Sequence, residues 1–173
     1  MQYISSDTSV WIDFGTIQKI EIPFRLPYTY IMNRDAVEDE ILSPPELGQE
    51  LLSYGLVPVA ITIEEFFLAE QYGINYAKLS RYDRIALAIA KCRQITLLTG
   101  DGRLRKAAKQ EGVPLMGTLG ILDQLWDQHR ITADELKTCL QGLLDNNGGA
   151  VRLPTAEILS RLEMINKINE KQE

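Results

Sequence analysis

The chain has 173 residues, a formal net charge of −6 and a pI of about 4.9, with 45% hydrophobic and 24% charged residues. These values are ordinary for one globular domain, and the acidic balance argues against a general nucleic-acid coat protein, which is normally basic. No stretch has the charge pattern of a signal peptide, and no run approaches the ~20 apolar residues of a membrane span. We therefore expect a soluble cytoplasmic protein without membrane segments.

Short apolar runs alternate with helical patterns along the first two thirds of the chain. Pro58 lies inside the third run and favours a position at the sheet edge, because proline cannot donate to a strand ladder. This alternation predicts an α/β fold, a three-layer sandwich with a mostly parallel five-stranded sheet and right-handed crossovers. The predicted strands are residues 3–6, 28–32, 56–61, 95–98 and 113–116.

Polar capping residues mark the helix starts. Asn33 is expected to cap the second helix, and three later helices begin with capping-box patterns. The apolar stripe of the second helix consists of Val37, Ile41 and Leu42. The capping-box patterns start at Thr62, Ser80 and Thr132. Beyond residue 130 only helical patterns occur, so we expect residues 131–173 to be a helical extension of the domain formed by residues 1–130.

The most informative stretch is residues 95–105, where an apolar strand pattern breaks at the TGDG sequence of residues 99–102. The glycines allow a tight turn, after which a helix can begin. Asp101 therefore lies where a buried strand ends, as a helix N-cap or as part of a site. Asp7 follows the first strand in the same way. Because ligands of open parallel sheets bind beyond the carboxyl ends of the strands, both acids are candidate site residues.

Two further carboxylates are candidates for the same sheet edge. Asp83 lies in the first turn of an apolar helix, where a capping-box role explains it equally well. Glu40 flanks the apolar stripe of the second helix, whereas Glu38 and Asp39 are expected to face solvent. Clustered carboxylates repel one another unless a cation neutralises them, and oxygen ligands suit Mg²⁺ or Mn²⁺. The single histidine, His129, excludes a two-histidine ribonuclease mechanism, so a hydrolase would depend on a metal.

Several motifs together resemble a PIN domain over about residues 2–126. They are DTSVWIDF at residues 7–14, VEDEI at 37–41, YDRIALAIAK at 82–91 and LLTGDGRLRKAAKQEGVPLMGTLGILDQL at 97–125. The last motif is the most specific. The resemblance implies a sheet ordered 3-2-1-4-5, in which the switch point between strands one and four brings Asp7 and Asp101 together. It also implies a metal-dependent RNA nuclease, as in VapC-type toxins that an antitoxin holds inactive.

By position, the resemblance assigns a catalytic and metal-binding set to this chain. The set consists of Asp7, Glu40, Asp83 and Asp101. Glu38 stays open as an alternative to Glu40, because the register of that helix is not determined by sequence. Glu65, after Ile61 and Thr62, is a further alternative, because some members of the family place their glutamate in a similar context. Some members carry another acid shortly after the TGD aspartate, but Gly102 and Arg103 stand there in this chain. The resemblance therefore implies three or four acids and one or two Mg²⁺ or Mn²⁺ ions.

Residues near these acids are candidates for substrate binding. Ser9 matches a small hydroxyl or amide residue near the first acid and is expected to orient a metal-bound water. Thr99 is equally well explained as a strand residue or as a hydrogen-bond donor to a carboxylate. Arg103 and Arg105 follow Asp101 and, with Lys106, are expected to steer the phosphate backbone, although a solvated helix face also explains each of them.

These observations lead to one main hypothesis and several alternatives. The main hypothesis is a Mg²⁺- or Mn²⁺-dependent endoribonuclease, the toxin of a toxin–antitoxin pair and, as the family implies, a homodimer. The first alternative is a catalytically inactive PIN-like binding module. A receiver-type phosphoacceptor domain is disfavoured because Thr62 and Gly117 stand near the places of its third-strand aspartate and its lysine. A haloacid-dehalogenase-like phosphatase would need Asp-x-Asp after the first strand, and a structure-specific DNA nuclease would need a long basic insertion.

Overall fold

The structure is a computed structural model that describes residues 1–40 and 45–171. The strands are β1 (Gln2–Ser6), β2 (Tyr28–Asn33), β3 (Val57–Val59), β4 (Thr96–Leu98) and β5 (Leu115–Met116). The helices are α1 (Ser9–Thr16), α2 (Arg34–Asp39), α3 (Pro45–Tyr54), α4 (Ile63–Asn75), α5 (Arg81–Arg93), α6 (Gly102–Gln110), α7 (Thr118–Asp127), α8 (Ala133–Asp145) and α9 (Thr155–Glu170). A short 3₁₀ helix covers Ile22–Arg25. Each predicted strand region contains a strand.

The sheet is parallel throughout and has the order β3-β2-β1-β4-β5. The central strand β1 pairs with β2 on one side, where Ile4 is opposite Tyr30, and with β4 on the other, where Ser6 is opposite Leu98. The predicted α/β class and strand order are therefore confirmed. Because the strand order reverses between β1 and β4, the carboxyl ends of these two strands border the crevice in which such folds bind ligands.

The edge strand β3 is shorter than predicted. It covers only Val57–Val59, and Pro58 at its centre pairs in register with Met32 of β2. Strand β3 lies at one end of the strand order, as expected for a proline that has no N–H to donate. The chain then turns at once, because Thr62 caps α4. The prediction of a six-residue strand over residues 56–61 was therefore wrong, because the chain already turns into α4 at Thr62.

Helix α2 begins where the sequence predicts and ends at Asp39, with Glu40 as its C-cap. The Asn33 side chain accepts a hydrogen bond from the Ala36 amide at 3.2 Å, which confirms Asn33 as the cap. Val37 is buried, as the apolar stripe predicts. The predicted stripe residues Ile41 and Leu42 lie outside the described residues.

The chain divides into two compact units. The first contains residues 1–11 and 27–117, and the second contains residues 12–26 and 118–173. The sheet and the candidate acids belong to the first unit. In this unit, residues 85–90 of α5 are all buried, and α5 packs against β1, β2 and β4. The hydroxyl of Ser5 on β1 donates to the Ala86 carbonyl of α5 at 3.0 Å. This packing positions the start of α5.

The second unit is helical. Its buried residues include Leu140 of α8 and Ile158 of α9, two helices that pack against each other. The expectation that residues 131–173 extend a domain formed by residues 1–130 stays a prediction. Among the described residues, no helix combines the length and apolarity needed to cross a membrane.

Candidate active site

Asp7 is a buried carboxylate at the carboxyl end of β1. Its residue exposure is 6%, and its backbone N–H donates to the Leu98 carbonyl at 3.2 Å, which extends the β1–β4 ladder by one residue. Oδ1 accepts hydrogen bonds from the Ser9 amide at 3.0 Å and the Ser9 hydroxyl at 2.7 Å. Oδ2 accepts one from the Thr99 hydroxyl at 2.6 Å. Among the described residues, these donors to Asp7 are all neutral.

The pKa of Asp7 reflects this environment. Burial raises it to about 7; hydrogen bonds from Thr99 and Ser9 lower it in part, and the charge of Asp83 raises it further. The carboxylate has lost most of its hydration and has no cationic partner among the described residues, so its ionised form is disfavoured. A bound cation would reverse that preference.

Two hydroxyl groups connect Asp7 to the loop that carries Asp101. The Ser9 hydroxyl, which donates to Asp7, also accepts the Gly100 N–H at 2.8 Å. The Thr99 hydroxyl donates to Asp7 and accepts the Asp101 N–H at 3.1 Å. The alternative that Thr99 donates to a carboxylate is thus confirmed. The role of Ser9 toward a metal-bound water stays a prediction, and in this structure its hydroxyl orients Asp7.

Asp101 is both a strand-end acid and a helix cap. Its Oδ1 accepts a hydrogen bond from the Leu104 amide at 2.9 Å, and the side chain is half-buried. The predicted N-cap is therefore present. A cap of this kind uses one carboxylate oxygen, so the second oxygen of Asp101 is available to a ligand.

Asp83 also combines a capping role with a position among the candidate acids. Its carboxylate accepts a hydrogen bond from the Ser80 amide at 3.0 Å, while its own amide donates to the Ser80 hydroxyl at 3.1 Å. This is the predicted capping box, with aspartate as its acid. The charge of Asp83 raises the pKa of both Asp7 and Glu40, so Asp83 lies within electrostatic reach of both.

Glu40 lies at the end of α2 as its C-cap, where its amide donates to the Ala36 carbonyl at 2.9 Å. Desolvation of its carboxylate raises the pKa of Glu40, the charge of Asp83 raises it further, and a side-chain hydrogen bond from Thr8 lowers it. Glu38 is exposed, as expected. Glu40 is exposed as a residue too, and its carboxylate is within electrostatic reach of one other candidate acid, Asp83.

Glu65, the second alternative, is held in a different arrangement. It is 2% exposed and completes a capping box with Thr62 at the start of α4. Arg93 of α5 binds it through two nitrogens, with the closer pair 2.6 Å apart. Burial acts to raise the pKa of Glu65, but the hydrogen bonds and the charge of Arg93 lower it overall. Its charge is already neutralised within the fold.

The basic residues after Asp101 differ from one another. Arg103 is exposed at the start of α6, as is Lys106. The guanidinium of Arg105 instead donates to the Thr99 carbonyl at 2.9 Å, and a Cβ at Gly117 would lie only 3.1 Å from the same nitrogen. Arg105 therefore supports the backbone of the site loop, while Arg103 is directed to solvent.

The chemistry of the donor set suits a hard divalent cation, but the acids do not converge in this structure. Asp7, Asp83 and Glu40 offer oxygen ligands, and the charge of Asp83 disfavours the ionised forms of the other two. Within residues 1–40 and 45–171, no three His, Cys, Asp or Glu side chains form an arrangement that could hold a metal. Asp83 and Asp101 each direct an oxygen to a helix N-terminus. Binding one cation through this set therefore requires side-chain rearrangement.

Sequence reasoning missed two neighbours of the acids. Thr8 forms a side-chain hydrogen bond with Glu40, and the Tyr82 hydroxyl donates to Asp39. The position of Thr8 beside Asp7 was a weak signal for the first contact. No pattern in the sequence signals the second, because its partners are separated by 43 residues.

Comparison with protein families matches residues 3–167 to the DUF3368 family, which is described as a PIN domain. The match extends beyond the motifs in residues 2–126 and includes most of the C-terminal helical region. Comparisons with curated proteins and with solved structures give no significant match.

Proposed function

The chain belongs to the PIN domain family, and from this premise we propose that it is a metal-dependent endoribonuclease that hydrolyses RNA phosphodiester bonds. The observation that carries the proposal is the state of Asp7. This carboxylate is 6% exposed, lies beside the switch point of the sheet, and has a pKa raised to about 7 by burial. Perturbed carboxylates at such positions are typical of functional sites.

The other acids have roles in this proposal that follow from their positions. Asp83, Glu40 and Asp101 would hold the metal together with Asp7. A bound Mg²⁺ or Mn²⁺ supplies a water of lowered pKa and stabilises charge on the phosphate. The Ser9 and Thr99 hydroxyls keep the Asp7 carboxylate oriented and, by donating to it, favour its ionised form.

The chain also offers groups for an anionic substrate. Arg103 is exposed one residue after the glycine that follows Asp101, and Lys106 is exposed on the same helix. Arg105 acts indirectly in this proposal, because its bond to the Thr99 carbonyl holds the loop that presents Asp101. A protein with a net charge of −6 would depend on such local cations to approach RNA.

Family membership also supports a biological setting for this activity. We place the protein in the cytoplasm as the toxin of a toxin–antitoxin pair, inhibited by an antitoxin and assembled as a homodimer. These statements depend on the premise of family membership rather than on any contact in this structure. They are separate from the nuclease proposal, which would stand without an antitoxin.

The test is cleavage of a mixed RNA substrate by the purified protein with Mn²⁺ or Mg²⁺. We expect cleavage that EDTA abolishes and that Asp101→Asn reduces at least about 100-fold. Asparagine retains an N-cap oxygen, so α6 should still form. The matched control is Asp134→Asn, which removes an exposed carboxylate from the first turn of α8 and should leave cleavage unchanged.

A non-catalytic binding module is the second candidate. It is favoured by the absence, among the described residues, of three acidic, histidine or cysteine side chains in a metal-binding arrangement. This alternative predicts RNA binding without cleavage and no heat of Mn²⁺ binding in calorimetry. That pair of results would refute the nuclease proposal.

A further inference from the structure

A tyrosine connects the two helix ends that carry Glu40 and Asp83. The hydroxyl of Tyr82, in the first turn of α5, donates a hydrogen bond to the Asp39 carboxylate in the last turn of α2. Tyr82 is half-buried, and the Arg81 guanidinium lies over its ring, 5.8 Å from the centroid. The contact thus joins residues that are 43 positions apart in sequence.

The contact lies one residue away from a candidate acid on each side. Asp39 immediately precedes Glu40, and Tyr82 immediately precedes Asp83. Movement of the α2 end relative to the α5 start would change the separation of Glu40 and Asp83. The hydrogen bond between Tyr82 and Asp39 opposes such movement.

This hydrogen bond is needed because repulsion between nearby carboxylates favours separation of the α2 end from the α5 start. Asp39 and Glu40 are adjacent in sequence, and the hydrogen bond from Tyr82 to Asp39 brings Asp83 to the same place, so three like charges meet here. Glu40 also lies at the carbonyl end of α2, where the helix dipole disfavours an anion. Helix α2 has only six residues, too few for helical stability of its own. A hydrogen bond from a neutral hydroxyl to a carboxylate is charge-assisted and adds no further negative charge.

We propose that Tyr82 is a positioning residue of the acid cluster: its hydroxyl holds the end of α2 against the start of α5, and so keeps Glu40 beside Asp83 for joint binding of a divalent cation. This inference rests on the proposed nuclease function, because it assigns Tyr82 a task only if these acids bind a metal. The ring and its contact with Arg81 are not required for that task.

The test is calorimetric titration of the full chain with Mn²⁺, comparing wild type with Tyr82→Phe. This variant removes the hydroxyl and retains the ring. The matched control is Tyr76→Phe, because Tyr76 is also half-buried and its hydroxyl also donates to a carboxylate, that of Glu111, at 2.6 Å. We expect Tyr82→Phe to weaken Mn²⁺ binding about 3- to 10-fold, the range of one exposed charge-assisted bond, and Tyr76→Phe to change it less than about twofold.

A second readout separates positioning from general loss of stability. The cleavage rate of Tyr82→Phe should fall at limiting Mn²⁺ and return to the wild-type rate at saturating Mn²⁺, and its melting temperature without metal should match that of Tyr76→Phe, which a global folding defect would not allow. Once Asp39 is replaced by alanine, which removes a charge as well as the hydrogen bond, adding Tyr82→Phe should weaken Mn²⁺ binding no further, since both substitutions remove the same bond.

The outcomes distinguish this inference from the function on which it rests. If wild type binds Mn²⁺ and both tyrosine variants bind it equally well, the role of Tyr82 is refuted and the nuclease proposal stands. If wild type binds no Mn²⁺ and does not cleave RNA, both are refuted. Selective weakening in Tyr82→Phe that excess Mn²⁺ restores would establish the positioning role.

Discussion

Two buried carboxylates of the first unit differ in how the fold treats their charge. Asp7 at the end of β1 is 6% exposed and Glu65 at the start of α4 is 2% exposed, so both have lost most of their hydration. Glu65 is bound by the Arg93 guanidinium at 2.6 Å and its pKa is lowered. Asp7 is bound by two hydroxyls and an amide, and burial raises its pKa to about 7.

The difference separates an acid whose charge an arginine neutralises from an acid that has only neutral donors among the described residues. A buried carboxylate that is paired with arginine is satisfied as it stands, and removing its partner would leave a charge in a poorly hydrated site. A buried carboxylate with only neutral donors destabilises the protein when ionised. A cation bound at Asp7 would offset that cost, whereas the charge of Glu65 is already neutralised by Arg93.

The largest effect that tests this comparison is expected from Asp7→Asn. An amide cannot neutralise a cation, so the cleavage rate should fall at least about 100-fold while the circular dichroism spectrum is retained. Glu65→Gln is the contrasting variant: it should lower thermal stability and leave cleavage by the folded protein intact. Equal losses of cleavage in the two folded variants would contradict the distinction between Asp7 as a site residue and Glu65 as a structural one.

The next largest effect is expected on stability, from Arg93→Met. Methionine keeps much of the apolar stem but leaves the Glu65 carboxylate without its cation. We expect the free energy of unfolding, measured by urea titration, to fall by about 2 kcal/mol; the value is below that of a fully buried pair because the Arg93 side chain is 32% exposed. The exposed Lys109→Met control should change it by less than about 0.5 kcal/mol. If the Arg93→Met protein is folded but does not cleave RNA, Glu65 belongs to the active site after all.

Asp13, in the second unit, is another buried carboxylate that accepts a hydrogen bond from a hydroxyl. It is 6% exposed and accepts the Thr118 hydroxyl at 2.6 Å, and burial raises its pKa from 3.8 to about 6. The pKa of Asp13 is higher in the folded state than in the unfolded state. The contribution of Asp13 to the free energy of unfolding is therefore fully present below about pH 4 and is lost as the pH rises through 6. Asp13→Asn, which retains an acceptor for Thr118, should therefore gain about 3 kcal/mol over wild type between pH 4 and pH 8. A difference in melting temperature that does not vary with pH would contradict this account.

The smallest effect is expected from the exposed arginine of α6. Arg103→Gln should raise the KM for RNA about two- to fivefold at low salt, with the difference disappearing at high salt because exposed charges are screened. Arg105→Gln should instead lower the free energy of unfolding by about 1 kcal/mol, because it removes the donor to the Thr99 carbonyl. A salt-sensitive KM effect in Arg105→Gln without loss of stability would reverse these roles.

Local features of the fold were predictable because they depend on residues close in sequence. The capping boxes at Thr62, Ser80 and Thr132 all form, since each joins residues three positions apart. The edge position of β3 followed from Pro58, and the strand order followed from the resemblance to PIN domains. The length of β3 did not follow, because apolar residues continue past the point where the chain turns into α4.

The α/β class, the helix starts and the presence of acids at strand ends and helix starts thus followed from residue types and their spacing. Which acids are neutralised and which are not depends on contacts that form when the chain folds. Glu65 meets Arg93 across 28 residues, and Asp7 meets Thr99 across 92. A carboxylate's pKa depends on its burial and on neighbours within a few ångströms, and folding brings those neighbours from distant parts of the chain. Residue type and spacing alone therefore could not separate the structural acid from the candidate catalytic one.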